Sequence, residues 1–182
     1  ALMFDLLHWG LGVDDSGPVA TIPAEYPKAL KGAQLVYDGN IPMMHGTGMG
    51  SSFYGSEGRV ECHRGRIGLW LGDKFIAGRT GGDRNVNLSK ELNKLESDFL
   101  KDAKVKLYRS SSHIPDFLNS IRTRKKPCTH EIIGARTSIA CHLLNQTYYN
   151  HTAIKWNPKK NTFIAGGDPA WLTRDYRGEF KV

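Results

Sequence analysis

The sequence predicts an α+β fold, in which one open, mostly antiparallel β-sheet has helices packed on one of its faces. Three observations lead to this class. Hairpin signals fill the middle of the chain, amphipathic helical patterns lie towards both ends, and no strand–helix–strand unit of a parallel sheet is present. The length of 182 residues fits a single domain over residues 1–182, and 40% hydrophobic with 24% charged residues is typical of a globular protein.

A helical pattern opens the chain. Leu2, Leu6 and Trp9 fall on one stripe of a helix that ends at the glycines of residues 10–12. Ala1 offers no side-chain oxygen to the free amides of the first turn. We therefore expect that residues precede Ala1 in a longer protein, or that the chain has been cut at this point.

Short strands joined by tight turns follow. The sequence predicts a strand at residues 19–22, a loop at 23–32, and then three hairpins whose turns fall at residues 38–40, 55–58 and 72–73. The predicted strands of these hairpins are 33–37 with 41–44, 52–54 with 59–63, and 66–71 with 74–77. A last strand is predicted at 104–108. Leu69 and Trp70 point to opposite sides, so both faces of the sheet carry large side chains.

Amphipathic patterns predict the remaining helices. One contains Leu88, Leu92, Leu95 and Phe99, and the next contains Ile114, Phe117, Leu118 and Ile121, with Ser112 as its cap. A long helix is predicted at about residues 131–149. Asp168 and Pro169 predict a short helix at 170–176, because a cap residue followed by proline is typical of a helix start.

Composition excludes several classes of protein. No apolar run approaches the ~18 residues of a membrane span, and no signal sequence opens the chain, so we expect no membrane contact and a cytoplasmic location. Three cysteines without a CxxC pair argue against a disulfide framework or a cysteine-based zinc site. The formal charge is +7 overall, but the basic residues are scattered outside residues 122–126. Nucleic acid is therefore an unlikely partner, and a solvated basic face is favoured.

Residue types alone name no reaction. The glycines of residues 46–50 follow a strand but precede no helix, which argues against a phosphate loop, and no GxGxxG, Walker or GxSxG pattern is present. The seven histidines show no HxxxH spacing of a metal site. Glu61 and His63 share one face of a strand, as a polar cross-strand pair would. The sequence therefore assigns no catalytic, cofactor-binding or metal-binding residue.

Several weak motifs occur together and cover nearly the whole chain. They are FDLLHWGLG at residues 4–12 with SGPV at 16–19, FYGSEG at 53–58, SHIPDFLNSIRTRKKP at 112–127, CHL at 141–143, KWNP at 155–158, and YR at 176–177. In this order and spacing they resemble the C-terminal domain of the Gfo/Idh/MocA oxidoreductases, in the branch abundant in planctomycete-like bacteria. Members of that family end near such a Tyr-Arg, so the resemblance implies that Val182 is close to a natural end.

The resemblance implies an NAD(P)-dependent oxidoreductase that acts on sugars, cyclitols or their derivatives. In that family a Rossmann domain comes first and the sheet domain follows. One face of the sheet takes helices and the Rossmann domain, and the other commonly pairs with a second subunit, which implies a homo-oligomer. The substrate, a sugar-like small molecule, lies between the two domains near the nicotinamide.

Two departures from the family bear on activity. The Rossmann domain, which holds the cofactor and a lysine near the substrate, is absent from these 182 residues. The family histidine that stands three residues before the aspartate matching Asp5 is replaced by Leu2, which cannot move a proton. A milder change places Asn157 in the family's Trp-Asp-Pro. We therefore expect the chain to bind neither NAD nor NADP tightly. It is either the substrate and oligomerisation domain of such an enzyme or an inactive stand-alone domain that self-assembles through its sheet face.

Overall fold

Helices and antiparallel strands make up the protein, whose computed structural model describes residues 1–48, 50–80, 86–104, 110, 112–175 and 178. The predicted α+β class is confirmed. The Cα positions group into two compact units, one formed by residues 1–47 with 129–182 and the other by residues 48–128. The single domain over residues 1–182 stays a prediction.

The described residues contain four α-helices and nine strands. The helices are α1 (Leu2–Leu11), α2 (Leu88–Phe99), α3 (His113–Thr123) and α4 (Glu131–Asn150). The strands are β1 (Ala20–Ile22), β2 (Gln34–Tyr37), β3 (Ile41–Met44), β4 (Ser51–Tyr54), β5 (Gly58–His63), β6 (Arg66–Leu71), β7 (Lys74–Arg79), β8 (Ile154–Asn157) and β9 (Thr162–Ala165). None of these helices combines the length and the apolar character needed to cross a lipid bilayer.

The first unit is a five-stranded sheet covered on one face by helices. Its strand order is β3-β2-β1-β8-β9, and each neighbouring pair is antiparallel. Helix α4 lies against β1 and β2 and also contacts α1. Leu35, Tyr37, Ile154 and Trp156 alternate along their strands and are buried in one cluster with α4. Because burying one such side chain stabilises the fold by roughly 1.5–3 kcal/mol, this cluster fixes which sheet face the helices cover.

Glycines with a positive φ form the end of α1 and the turn of the first hairpin, where the sequence predicts them. Gly12 has a φ of 67°, and its N–H donates to the Trp9 carbonyl at 3.1 Å. In the turn between β2 and β3, Gly39 has a φ of 73° and donates its N–H to the Asp38 carboxylate at 3.1 Å. Both positions require the left-handed backbone that glycine adopts without steric cost.

The second unit contains a four-stranded antiparallel meander in the order β4-β5-β6-β7. Helix α2 packs against β7, where Ala77 and Leu95 are buried. Glu91 of α2 also accepts a hydrogen bond from the Gly78 amide at 3.3 Å. Gly78 has a φ of 119°, and a Cβ built there would lie 2.0 Å from the Ile67 carbonyl oxygen. No other residue type fits at this contact between β6 and β7 without a backbone shift.

Several observed elements differ from the predicted ones. The predicted single sheet is divided, because the first hairpin joins β1, β8 and β9 rather than the meander. The sequence does not predict β8 and β9, which are four residues each; β8 pairs with β1 from the other end of the chain, and β9 pairs with β8. The predicted helix at 170–176 is a 3₁₀ turn at Pro169–Leu172, although Asp168 caps it as expected by accepting from the Ala170 amide. Apart from Lys104, the strand predicted at 104–108 lies outside the described residues.

Helix α3 forms where its periodicity predicts it, with two differences in detail. Ser112 occupies the N-cap position, but its side chain makes no capping hydrogen bond. The apolar stripe that its spacing predicts is exposed along its whole length, at Ile114, Phe117, Leu118 and Ile121. The periodicity therefore identifies the helix, while the burial of its stripe does not follow from it.

Candidate functional site

Leu2 and Asp5 mark the place in α1 where the family resemblance expects proton transfer. The Leu2 side chain is 54% exposed and carries only hydrocarbon. Asp5 accepts a hydrogen bond from the hydroxyl of Thr137, a buried residue of α4, at 3.3 Å. Asp5 therefore links α1 to α4, and Leu2 supplies no acid or base at this position.

A buried histidine and a buried tyrosine join α1 to the sheet. His8 lies fully inside the first unit, and its Nε2 is 2.6 Å from the hydroxyl oxygen of Tyr37 on β2. The two rings meet edge to face, with centroids 5.5 Å apart. The Tyr37 hydroxyl also lies 3.9 Å from the sulfur of Met43 on β3. One polar network thus connects the helix to two strands.

The network is uncharged at neutral pH. Burial lowers the pKa of His8, although the nearby Asp5 carboxylate opposes the shift. Burial raises the pKa of Tyr37 well above its ordinary value, with a smaller contribution from Cys141. Because both groups are neutral and closed to solvent, they suit a role in positioning α1 on the sheet.

Three buried polar atoms of the first unit have no hydrogen-bond partner among the described residues. Among the described residues, His8 Nδ1, Asp14 Oδ1 and Trp156 Nε1 are buried and make no hydrogen bond. Burial raises the pKa of Asp14, and the Asp5 and Asp15 carboxylates raise it further, while His130 lowers it. Each unmet buried group costs about 1–3 kcal/mol, so the contact between α1 and the sheet is rich in polar groups that a substitution can unbalance.

Two arrangements typical of metal and dinucleotide sites are not found among the described residues. No three histidine, cysteine, aspartate or glutamate side chains among them are arranged to hold a metal ion. The glycine segment at 46–50, of which Met49 is not described, runs into strand β4 at Ser51, so no helix amino terminus follows it. Every described strand pair is antiparallel. These residues therefore do not fit the βαβ cradle that binds NAD or NADP.

On the helix-free face of the five-stranded sheet, strands β1, β2 and β3 carry an apolar patch that borders Lys155 of β8, and we call this patch the outer face. Its cross-strand rows are Ile22–Gln34–Met44 and Ala20–Val36–Pro42. Ile22 is 45% exposed and Met44 is 64% exposed, and only one of the six side chains is polar. A sheet with one face buried under helices normally places polar residues on the other, so the outer face departs from that rule.

One face of the four-stranded sheet also carries aromatic side chains, and we call it the Trp70 face. Arg59 lies directly opposite Trp70, with its guanidinium carbon 4.3 Å from the centre of the indole ring. The same guanidinium binds Glu61 at 2.9 Å, and Phe75 packs edge to face on Trp70 at 5.3 Å. Tyr54 on the neighbouring strand is 76% exposed. Leu69, the residue predicted to point to the opposite side from Trp70, is half-buried, as is Trp70 itself.

The sequence gives no indication of the His8–Tyr37 pair, and strand alternation alone places Glu61 and His63 on one face of β5. His8 and Tyr37 are 29 positions apart, and no local spacing relates them. A polar residue within an apolar helical stripe was the available signal, since a buried histidine must find a partner. Glu61 and His63 do share one face, but Glu61 pairs with Arg59 and His63 contacts the Arg64 carbonyl at 3.3 Å.

Comparison with known proteins returned nothing: no family model, no curated protein and no solved structure matches this chain. The resemblance to the Gfo/Idh/MocA family therefore stays a prediction that depends on the motifs of the sequence. A function has to be argued from those motifs together with the geometry of the two sheets.

Proposed function

We propose that this chain is the substrate-binding and oligomerisation domain of an NAD(P)-dependent oxidoreductase of the Gfo/Idh/MocA type, acting on sugars or cyclitols. The motifs at residues 4–12, 53–58, 112–127 and 155–158 support the family, and the α+β class agrees with it. The observation that carries the proposal is the outer face, an apolar sheet surface opposite the face covered by helices.

The outer face supports assembly for a physical reason. A monomer would keep Ile22 and Met44 in contact with water, at a cost of roughly 25 cal/mol per Å² of apolar surface. Pairing the face with a second copy removes that surface from water on both partners at once. The face is also continuous across three paired strands, as a sheet-to-sheet contact requires.

The chemistry of the reaction belongs to groups outside these residues. Leu2 occupies the position of the family histidine, and the described strands do not fit a dinucleotide. In this proposal the chain contributes substrate contacts and subunit pairing, and a Rossmann domain contributes the cofactor. The loss of the histidine favours a second candidate, a catalytically inactive domain that assembles through the same face.

The oligomeric state of the chain tests whether the outer face is a subunit contact. The chain should scatter light as a dimer or larger species at tens of micromolar, and Met44→Asp should weaken association at least about tenfold because it buries a carboxylate at the contact. Leu30→Asp is the matched control, since Leu30 is 74% exposed in the same unit but lies in the loop before β2. A monomeric wild-type chain, or equal effects of the two substitutions, would contradict the proposal.

Ligand binding separates the two candidates. Titration calorimetry with a panel of sugars and cyclitols should give saturable heat for at least one compound if the chain keeps a substrate-binding role. An assembled chain that binds none of them would favour the inactive domain.

A further inference from the structure

A cleft of about 220 Å³ lies at one end of the four-stranded sheet, within the second unit. It is lined by side chains or backbone of Gly50, Ser51, Ser52, Glu61, Cys62, His63, Arg66, Ile67, Gly68, Trp70, Arg79 and Thr80. Most of these residues come from three successive cross-strand rows at the start of β4 and β6 and the end of β5 and β7, while Gly50 and Thr80 flank the strands and Trp70 belongs to a row further along β6. The volume is below that of sites for drug-sized ligands, so an occupant would be small.

Among the described residues, one arginine that lines this cleft has no partner for its charge. The Arg66 guanidinium makes no hydrogen bond or ion pair with any described residue, and it lies opposite His63 in the sheet register. Arg79 also lines the cleft, but its guanidinium donates to the Gly65 carbonyl. Among the described residues that line the cleft, Glu61 is the one carboxylate, and Arg59 already binds it at 2.9 Å. Arg66 and Arg79 therefore give the described lining a positive charge, and Arg66 is the one of the two whose guanidinium makes no hydrogen bond with a described residue.

Trp70 forms a rigid apolar wall of the cleft. Its benzo ring edge occupies the space above Gly68, where a Cβ would lie 2.4 Å from the ring. Arg59 covers the ring at 4.3 Å and Phe75 supports it at 5.3 Å. Because neighbours hold the indole on several sides, its position does not have to be ordered when a ligand arrives, which lowers the entropic cost of binding.

Small polar groups complete the lining. Among the described residues, the hydroxyls of Ser52 and Thr80 make no hydrogen bond. His63 contacts the Arg64 carbonyl through Nδ1 at 3.3 Å, so its Nε2 stays available. An apolar wall, a few convergent polar groups and one free charge are the usual composition of a small-molecule site.

We propose that this cleft binds a small carboxylate that carries a ring, with the carboxylate on Arg66 and the ring in contact with Trp70. A guanidinium binds a carboxylate through two parallel N–H bonds, which are the strongest hydrogen bonds available to an exposed site. The indole offers apolar contact to either an aromatic or a sugar ring. The inference depends on this cleft alone and does not use the function proposed above.

The test is a titration of the full chain with two ring carboxylates and with their neutral amides. Binding is measured by the NMR signals of the backbone amides and of the Trp70 indole N–H. Benzoate is paired with benzamide, and glucuronate with glucuronamide. We expect at least one acid to bind at millimolar concentrations or below, and its amide to bind about tenfold more weakly, because the charge-assisted bonds are lost. Acetate should bind more weakly than the ring acids because it cannot cover Trp70.

Variants locate the site. Arg66→Ala should weaken the acid about ten- to a hundredfold, and Arg66→Lys should recover part of that loss as a point charge without the fork. Arg64→Ala is the matched control, since Arg64 is also exposed and next to the same turn but does not line the cleft. A melting curve for each variant confirms that it is folded.

Three results would overturn the proposal. They are equal binding of acid and amide, equal effects of the Arg66 and Arg64 substitutions, and no perturbation of Trp70 by either acid well above the millimolar range. Failure of the light-scattering test above would leave this inference unaffected, because the outer face belongs to the other unit.

Discussion

Removing one oxygen atom from the first unit's core should destabilise it measurably. In Tyr37→Phe the ring keeps its place against the sheet, but the 2.6 Å contact with His8 Nε2 is lost. His8 Nδ1 already has no partner among the described residues, so the substitution leaves the whole imidazole unsatisfied inside the protein. Leaving a buried polar group unpaired costs about 1–3 kcal/mol, and we expect a loss of about 2 kcal/mol in the free energy of unfolding.

A double-mutant cycle separates the hydrogen bond from other effects of the change. His8→Leu removes the imidazole, so Tyr37→Phe in that background leaves no unpaired ring nitrogen behind. Replacing both polar partners of a buried hydrogen bond by apolar groups changes the free energy of unfolding little. In the His8→Leu background, Tyr37→Phe should therefore cost less than about 0.5 kcal/mol.

Urea unfolding followed by tryptophan fluorescence measures these energies. A Trp70→Phe background confines the signal to the first unit, because the remaining tryptophans are Trp9, Trp156 and Trp171. The reasoning is refuted if Tyr37→Phe stays within about 0.5 kcal/mol of its parent, or if it costs the same with and without His8.

Three further outcomes follow from the same structure. Burial lowers the pKa of His8 below its ordinary value. The stabilisation that the neutral imidazole gives to the fold is therefore present above about pH 6.5 and is lost as the pH falls below that value. His8→Gln should flatten this part of a profile of unfolding free energy against pH. In denaturant unfolding, Gly78→Ala should cost more than about 3 kcal/mol, because a Cβ would overlap the neighbouring strand. Gly72 also has a positive φ but faces open space, so Gly72→Ala should cost about 1–2 kcal/mol. Equal losses for the two variants would contradict this prediction. Arg136 donates a hydrogen bond to the carbonyl of Pro158, in the turn that joins β8 to β9. Arg136→Met should therefore lower the melting temperature and speed amide hydrogen exchange in β8 and β9. Unchanged exchange would argue against this role of Arg136.

Local chemistry explains the parts of the fold that the sequence predicts well. The end of α1 at Gly12, the turn at residues 38–40 and the cap at Asp168 depend on the conformations and hydrogen bonds of a few neighbouring residues. The spacing of apolar residues in the sequence predicts both the position and the length of helix α4. Each of these elements is determined within one or two turns of chain.

Long-range pairing accounts for what the sequence does not predict. The division into two sheets depends on β1 pairing with β8 rather than on any property of the first hairpin alone. The His8–Tyr37 contact and the cleft beside Arg66 likewise appear only when separate segments of the chain are brought together. Motifs in the sequence indicated a family but assigned no site residue within the chain, because the groups expected to act lie outside it or are replaced, as at Leu2.

Calorimetry with NAD⁺ and NADP⁺ tests most directly the central claim that this chain is the substrate and assembly part of an oxidoreductase whose cofactor is bound elsewhere. We predict no saturable heat from either dinucleotide and saturable heat from at least one sugar or cyclitol, measured on the same preparation. Micromolar binding of NAD⁺ or NADP⁺ by the 182-residue chain would contradict the account, because the antiparallel strands described here provide no βαβ cradle for a dinucleotide.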